Sequence, residues 1–427
     1  MSAKMNSSAM PHEASTSKDS AVPGLSDGDL KSILHREDPT WASIAITPCM
    51  KSEKLSALTG CELFVKYENL QYTGAFKERG ALAKLLSLTA DEKRRGVIAA
   101  SAGNHAQGVA RNAATLGIDA TIVMPRHTPY VKVQQTEALG ANVILDGDDY
   151  DAANVVARKK CDEDGLTFVH PFDDPYVVAG QGTIGVEMLE AVPDLDILVV
   201  PIGGGGLLSG IAIAARQIRP DIKVIGVQAQ LYPSMLNLLK DQDNPIGGMT
   251  LAEGIAVREP GKLTRKLIAD LVDDIVMVDE RALESALSLY LNVQKTLAEG
   301  AGAAGLAAIL TNPEMFVGKK VGTVICGGNI DTRLLSSILM RDIARQGRMA
   351  RLRIELLDVP GQLTKVADII ATAGGNVIDV SYHRIFNDLP AKATYLDISV
   401  ETNDRPHLDR IIENLRAAGL ATEIATY

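Results

Sequence analysis

A basic surplus is missing from this sequence: 43 lysines and arginines stand against 53 aspartates and glutamates, a formal net charge of −10. Nucleic-acid binding normally needs a basic face, so small or zwitterionic partners are the better expectation. Cysteine is scarce. Cys49, Cys61, Cys161 and Cys326 are widely spread and form no C-x-x-C pair, which leaves neither a cysteine zinc site nor a disulfide framework and points to a reducing, cytoplasmic compartment. None of the seven histidines is paired at metal-ligand spacing, so no metal site is expected. Long apolar runs are absent too: no stretch approaches a membrane span, and residues 1–26 lack the apolar centre of a signal peptide. With their Ser, Ala, Pro and His content, those residues read as a disordered tail.

What is present is a chain of 427 residues, 46% hydrophobic and 22% charged, the composition of a globular protein with more than one core. Short Val/Ile-rich runs alternate with helix-compatible stretches from about Leu30 to Gly318. Strands are expected at 62–67, 96–100, 119–124, 141–145, 166–169, 197–202 and 223–227, with amphipathic segments such as 104–116 and 130–139 between them. The alternation predicts an α/β fold of parallel sheets with helices on both faces, where ligands gather at the carboxyl ends of strands. Near Met349 the pattern changes. Arg351 to Leu356 alternates strictly, Asp358-Val359-Pro360-Gly361 breaks the strand, and the order βαββαβ follows to the end, a ferredoxin-like module over 347–427. Residues 332–346 read as a connecting helix.

Several runs end in residues suited to chemistry. Lys77, beside Phe76 at an expected helix start, would by itself be a solvated surface charge. A desolvated lysine, however, is a nucleophile suited to forming a Schiff base. Ser101, Gly103, Asn104 and His105 follow the apolar run 97–100 and can offer hydroxyl, amide and backbone N–H donors to a carboxylate, although Asn104 could equally be a helix cap. Gly203, Gly204, Gly205 and Gly206, followed by Leu207, open a helix after 198–202. Backbone N–H groups there can converge on an anion such as phosphate without a Cβ in the way. The tetrad fits neither the P-loop nor the dinucleotide fingerprint. Cys326 ends the strand-like 321–325 and could meet a ligand nitrogen, and Glu299 lies among small residues at a tight helix start.

The run Asn69-x-x-x-Thr73-Gly74-x-Phe76-Lys77-x-Arg79-Gly80, the loop Ser101-x-Gly103-Asn104-His105-x-Gln107-Gly108 and the glycine tetrad, in this order, resemble the fold-type II enzymes of pyridoxal phosphate. Among these the chain is most similar to the threonine ammonia-lyases, the threonine/serine dehydratases, over about residues 30–427. The resemblance implies a tryptophan synthase β-like catalytic domain over 27–346, with a smaller lobe inserted at about 67–170. It also implies pyridoxal 5'-phosphate linked to Lys77, with Phe76 on its ring, Asn104 at the ring hydroxyl, the tetrad and Leu207 at the phosphate, Cys326 at the pyridine nitrogen, and Glu299 nearby. Ser101, Gly103, Asn104 and His105 would hold the substrate carboxylate. The implied reaction turns L-threonine into 2-oxobutanoate and ammonia, and L-serine into pyruvate, by α,β-elimination. The alternatives are a lyase for serine or threo-3-hydroxyaspartate and, less favoured, a catalytically dead amino-acid-binding regulator. Relatives are usually dimers or tetramers.

Two departures narrow the resemblance. Serine racemases place a serine where Ala102 stands, and alanine cannot shuttle a proton on the second face. Racemases and hydroxyaspartate dehydratases also bind a divalent cation through a carboxylate near 227–230, where Gln228 and Gln230 carry no charge. The C-terminal module resembles an ACT domain, with Asp358-x-Pro360-Gly361-x-Leu363 as its strand-to-helix turn. The resemblance implies an amino-acid effector, with Gly361 and Asn376 the positions expected to contact it; simple dimerisation is the competing role.

Overall fold

Among the described residues of the computed structural model, 22–385 and 389–425, the first of two units carries ten strands. These are β1 (Cys49–Lys51), β2 (Glu62–Tyr67), β3 (Val97–Ala100), β4 (Ala120–Met124), β5 (Asn142–Leu145), β6 (Thr167–Phe168), β7 (Ile197–Pro201), β8 (Lys223–Ala229), β9 (Asp274–Val278) and β10 (Lys320–Ile325). They form two sheets. The smaller has the order β5-β4-β3-β6 and is parallel throughout; the larger has the order β1-β2-β10-β7-β8-β9, with only β1 antiparallel.

The centre of the small sheet shows why its strands read as unbroken apolar runs. Val97 and Ala99 of β3 enter one core with Leu85, Val109 and Ile122, while Ile98 and Ala100 enter another with Val123, Ala153 and Ala157. Successive side chains point to opposite faces, and both faces are covered by helices. The strands expected from sequence appear within one or two residues of their positions. Two others, β1 and β9, were not expected: both are edge strands, one three residues long and the other only partly buried, so neither carries the apolar run of a central strand.

β2, β3, β7 and β10 all end on the side where the helices Lys77–Leu86, Asn104–Leu116 and Gly206–Ile218 begin. Of the tail expected over 1–26, residues 1–21 lie outside the described range. Val22 and Leu25 are buried against Leu30, Leu34 and Val178, and Ser26 caps the helix Asp27–Leu34. The folded body therefore starts before residue 27; the surrounding polar composition masks two apolar anchors.

The second unit begins at Asp331 and includes the helix Thr332–Arg345, which sequence had joined to the preceding domain. Its strands are β11 (Met349–Leu357), β12 (Asn376–His383), β13 (Ala393–Glu401) and β14 (Thr422–Ile424), in the antiparallel order β12-β13-β11-β14. The helices Gln362–Thr372 and Arg405–Ala417 supply Val366, Ile370, Leu408 and Ile411 to a core with Leu352, Ile354, Leu396 and Ile398. That is the expected βαββαβ module. Only one sheet face is packed this way, which accounts for the alternation along β11.

Candidate active site

The loop ahead of Lys77 is stitched to the end of β10. Ala75 bridges Gly327, and Phe76 N–H donates to the Cys326 carbonyl at 3.0 Å. Gly74 has φ 71°, and a Cβ there would stand 2.6 Å from Asn329 Oδ1. Lys77 opens its helix, and its half-buried Nζ donates to the Pro171 carbonyl at 2.8 Å and lies 5.2 Å from the centre of the Phe76 ring. Burial lowers its pKa from 10.5 to about 8, against the opposing pull of Cys326 and Glu299. The surface reading of this lysine is thereby excluded.

Asn104 is not a cap. Gly103 takes that position, and the Asn104 amide instead reaches away from its own helix: Nδ2 donates to Glu299 Oε1 at 2.9 Å and Oε2 at 3.1 Å, while Asn329 Nδ2 donates to Asn104 Oδ1 at 2.8 Å. Burial raises the Glu299 pKa from 4.5 to about 7, and the Glu253 carboxylate pushes the same way while the Asn104 hydrogen bond opposes. Cys326 is buried, and burial followed by the Glu299 charge holds its thiol protonated, with a pKa well above the ordinary value.

Ser101 Oγ accepts from Gly103 N–H at 3.2 Å, and a Cβ on Gly103 would meet nothing within 4 Å. Gly103 thus borders open space, with the half-buried Ser101 and Asn104 beside it. His105 departs from them. Its imidazole is buried, with Nε2 2.9 Å from the Val169 carbonyl, and burial followed by the Lys77 charge drives its pKa down to about 3. Only its backbone N–H, in the first helical turn, remains to serve a ligand.

The tetrad lies where β7 gives way to the helix Gly206–Ile218, and Gly205 adopts φ 99°. A Cβ on Gly204 would stand 2.2 Å from Phe172 Cγ, so this loop can pack on Phe172 only because that position has no side chain. Thr264 Oγ1 donates to the Gly204 carbonyl at 2.6 Å, and Leu207 is buried behind. Asp173 accepts from the backbone N–H groups of Lys262, Leu263 and Thr264 at 3.0, 3.0 and 3.2 Å, fixing the helix that carries Thr264. Sequence reading gave Asn329, at the end of the run Cys326-Gly327-Gly328-Asn329, no role of its own and passed over Pro171, Phe172, Asp173 and Thr264. All but Thr264 lie within four residues of the end of an apolar strand run, the same signal that marked the Asn104 loop.

Gln228 is fully buried: its amide donates to the Tyr232 carbonyl at 3.1 Å and accepts from Leu236 N–H at 2.9 Å, closing its own turn. No group of three or more His, Cys, Asp or Glu able to hold a metal occurs among the described residues. In the second unit, Gly361 follows the end of β11 whereas Asn376 lies level with Met349 at its beginning, so one chain does not bring them together. Asn376 instead borders a shallow cleft of about 280 Å³ with Arg348, Gly374, Glu401, Thr402 and Asn403.

In the first unit, a lysine of lowered pKa, a side-chain-free glycine turn at a helix start, a carboxamide and a neutral thiol are linked by short contacts: Pro171 and Phe172 join Lys77 to Gly204, and Glu299 joins Asn104 to Gly327 next to Cys326. That donor set fits a phosphorylated aromatic aldehyde: an amine for the aldehyde, N–H groups for the phosphate, and polar groups for ring substituents. Residues 41–327 match the family model described as pyridoxal-phosphate dependent enzyme, and residues 345–419 match that of the ACT domain. The chain is 43% identical to the L-threonine ammonia-lyase of Thermotoga maritima over 92% of this chain and 96% of that protein. Its structure is similar to threonine deaminase isoform 2 of Solanum lycopersicum, with TM-score 0.69 and 34% identity over 74% of this chain and 89% of the other. Maize serine racemase is similar with TM-score 0.68 and 32% identity, over 75% and 98%.

Proposed function

The chain belongs to the pyridoxal-phosphate dependent enzyme family, and from that premise we propose that it is an L-threonine ammonia-lyase in which Lys77 holds the cofactor and moves the proton. The observation that carries the assignment of Lys77 is its half-buried amine of lowered pKa, bonded to the Pro171 carbonyl beside the Phe172 that packs on Gly204, and near Cys326 and Glu299, the partner of Asn104. When bound, pyridoxal phosphate supplies the aldehyde that captures the amino acid and the electron sink that acidifies its Cα.

The chain's own residues supply the rest. N–H groups of Gly203 to Gly206 and Leu207 would hold the phosphate, and Phe76 would support the ring. Asn104, whose amide is bonded to Glu299 and Asn329, would offer its remaining N–H to the ring hydroxyl. Ser101 Oγ and the backbone N–H groups of Asn104 and His105 would hold the substrate carboxylate, with the Gly103 N–H, now bonded to Ser101 Oγ, joining them once that bond is released. Lys77 Nζ would take the Cα proton once substrate displaces it; its burial, which lowers the pKa to about 8 in the cofactor-free protein, favours the free amine more than in a solvated lysine. Cys326, a neutral thiol, would meet the pyridine nitrogen without holding a proton on it as a carboxylate would, an arrangement that would suit elimination better than reactions needing a long-lived carbanion. The eliminated enamine hydrolyses to 2-oxobutanoate and ammonia; serine would give pyruvate by the same steps.

The likeness to a serine racemase raises a second reading, and Ala102 argues against it, since no hydroxyl stands there to serve the opposite face. The C-terminal ACT domain is assigned to amino-acid-responsive regulation, and the protein to a cytoplasmic homodimer or homotetramer. The apolar Ile378 and Val380, exposed on the edge strand β12, support self-association. The deciding experiment measures 2-oxo acid release from threonine, serine and threo-3-hydroxyaspartate by wild type and Lys77→Ala. Turnover of threonine lost in the variant is expected; retention would overturn the role of Lys77.

A further inference from the structure

Two residues beyond Lys77, the guanidinium of Arg79 is completely enclosed, and all of its N–H donors are engaged. Nε donates to Glu68 Oε2 at 2.7 Å and Nη2 to Glu68 Oε1 at 2.8 Å; Nη1 donates to Glu187 Oε1 at 2.8 Å and to Thr183 Oγ1 at 3.1 Å; Nη2 also reaches Glu187 Oε2 at 2.8 Å and the Ala45 carbonyl at 3.3 Å. Glu187 further accepts from Lys66 and Arg36, and Glu68 from Thr47 and Gln71. Desolvating so many charges is costly, and an apolar cluster of similar volume would join the same segments without that cost. What a guanidinium adds is geometry: a rigid planar fork that fixes two carboxylates relative to its own backbone.

The segments it fixes all reach the active site. Glu68 follows β2, whose parallel neighbour β10 leads to Cys326. Glu187 and Thr183 lie on the helix Pro175–Ala191, which starts just beyond Pro171, the carbonyl that receives Lys77 Nζ. Here the two helices almost touch by their backbones: a Cβ on Gly180 would come 2.6 Å from the Arg79 carbonyl, and one on Gly80 2.2 Å from Gln181 Nε2. Such a contact leaves the start of Lys77–Leu86 no room to shift while the fork is intact.

We propose that Arg79 is a positioning residue for this reaction, its two-carboxylate fork holding Lys77 in register with Cys326 and the Asn104 loop. The inference rests on Lys77 being the cofactor-bearing lysine. Arg79→Lys keeps the charge and loses the fork, so Lys77 should still capture the cofactor but in a displaced orientation.

The test is run on holoenzyme, wild type and Arg79→Lys, with Thr183→Val as a milder variant that removes one Arg79 partner and no charge. Readouts are the pH titration of the visible absorbance of the lysine-bound cofactor, kcat and KM for threonine, and the melting temperature. For Arg79→Lys the absorbance titration should move by roughly half a pH unit or more. Its kcat should fall about 10- to 100-fold with KM little changed, the cost of misplacing a reacting group. Thr183→Val should move both in the same direction by less. A lowered melting temperature with the titration and kcat of both variants unchanged would show a merely structural network and overturn the proposal; if Arg79→Lys does not fold, unchanged values in Thr183→Val overturn it alone. Borohydride reduction of wild type that leaves Lys77 unmodified would instead sink the underlying assignment of Lys77.

Discussion

Asn104 Nδ2 sits 2.9 and 3.1 Å from the two carboxylate oxygens of Glu299, a carboxyl whose pKa is raised to about 7. A group whose pKa rises on folding favours the native state below its unfolded value, and that contribution is lost as pH climbs through the folded value. For Glu299 the window runs from about 4.5 to about 7. The same ionisation should mark the reaction, because it changes the charge held against the Asn104 amide. Glu299→Gln keeps an acceptor for Asn104 and removes the titration, so the kcat/KM profile of the variant should lose an inflection near pH 7 that wild type shows. An identical profile would dissociate Glu299 from the site.

Lys77 titrates in the opposite sense. Its pKa is lowered from 10.5 to about 8, so the stability it contributes is present above its unfolded value and lost as pH falls through about 8, where the desolvated amine must take up a proton. Only the free amine attacks an aldehyde. Capture of pyridoxal phosphate by cofactor-free protein should therefore accelerate about tenfold per pH unit below the pKa and level off above it. Stopped-flow absorbance between pH 6 and 9 checks this, and a plateau reached only near pH 10 would contradict it.

The glycine tetrad is intolerant of side chains. A Cβ on Gly204 would overlap Phe172 Cγ at 2.2 Å, so Gly204→Ala should force apart two packed loops, destabilising the protein by about 1–3 kcal/mol, and should weaken cofactor binding. Adding Phe172→Ala should restore part of the affinity. Equilibrium dialysis with pyridoxal phosphate and thermal melts would report both effects; failure of the second substitution to recover any affinity would mean that the steric account is wrong.

How much of this was legible beforehand varies with the range of the interaction. The strand ends that deliver Lys77, Asn104, the tetrad and Cys326 are written in local apolar runs, and so is the βαββαβ order of the second unit. The imidazole of His105 turned inward to the Val169 carbonyl was not readable, because only tertiary packing decides which way a residue in a helix's first turn points its side chain. Nor was the use of Asn104 by Glu299, since the two lie far apart in sequence and meet only when the two sheets are in place. The buried anchors Val22 and Leu25 were hidden for the same reason: their partner Val178 is contributed by a distant helix.

Ala102 carries no hydroxyl for proton transfer on the second face. It is half-buried beside Ser101 and packs on the small-lobe core, and Ala102→Ser adds a single oxygen there. The variant should convert L-serine to D-serine faster than wild type, with elimination retained, as followed by chiral chromatography. If D-serine forms no faster in a variant that still binds cofactor and releases pyruvate, the missing hydroxyl is not what limits racemisation.

The second unit allows a separate test of regulation. Asn376 borders the cleft with Arg348 and Glu401, while Gly361, at φ 89°, lies at the other end of β11. A cation, an anion and a carboxamide in one cleft suit a zwitterion, whereas a turn held by glycine suits a backbone contact. If the ACT domain couples an amino acid to catalysis, isoleucine or valine must bind two states with different affinity and so shift the threonine saturation curve. Asn376→Ala should reduce that shift if the cleft is the site, without changing turnover in the absence of effector. Truncation from Arg351 onward should abolish it. Saturation curves for truncated and intact protein that coincide with and without each amino acid would leave the module a role in assembly alone.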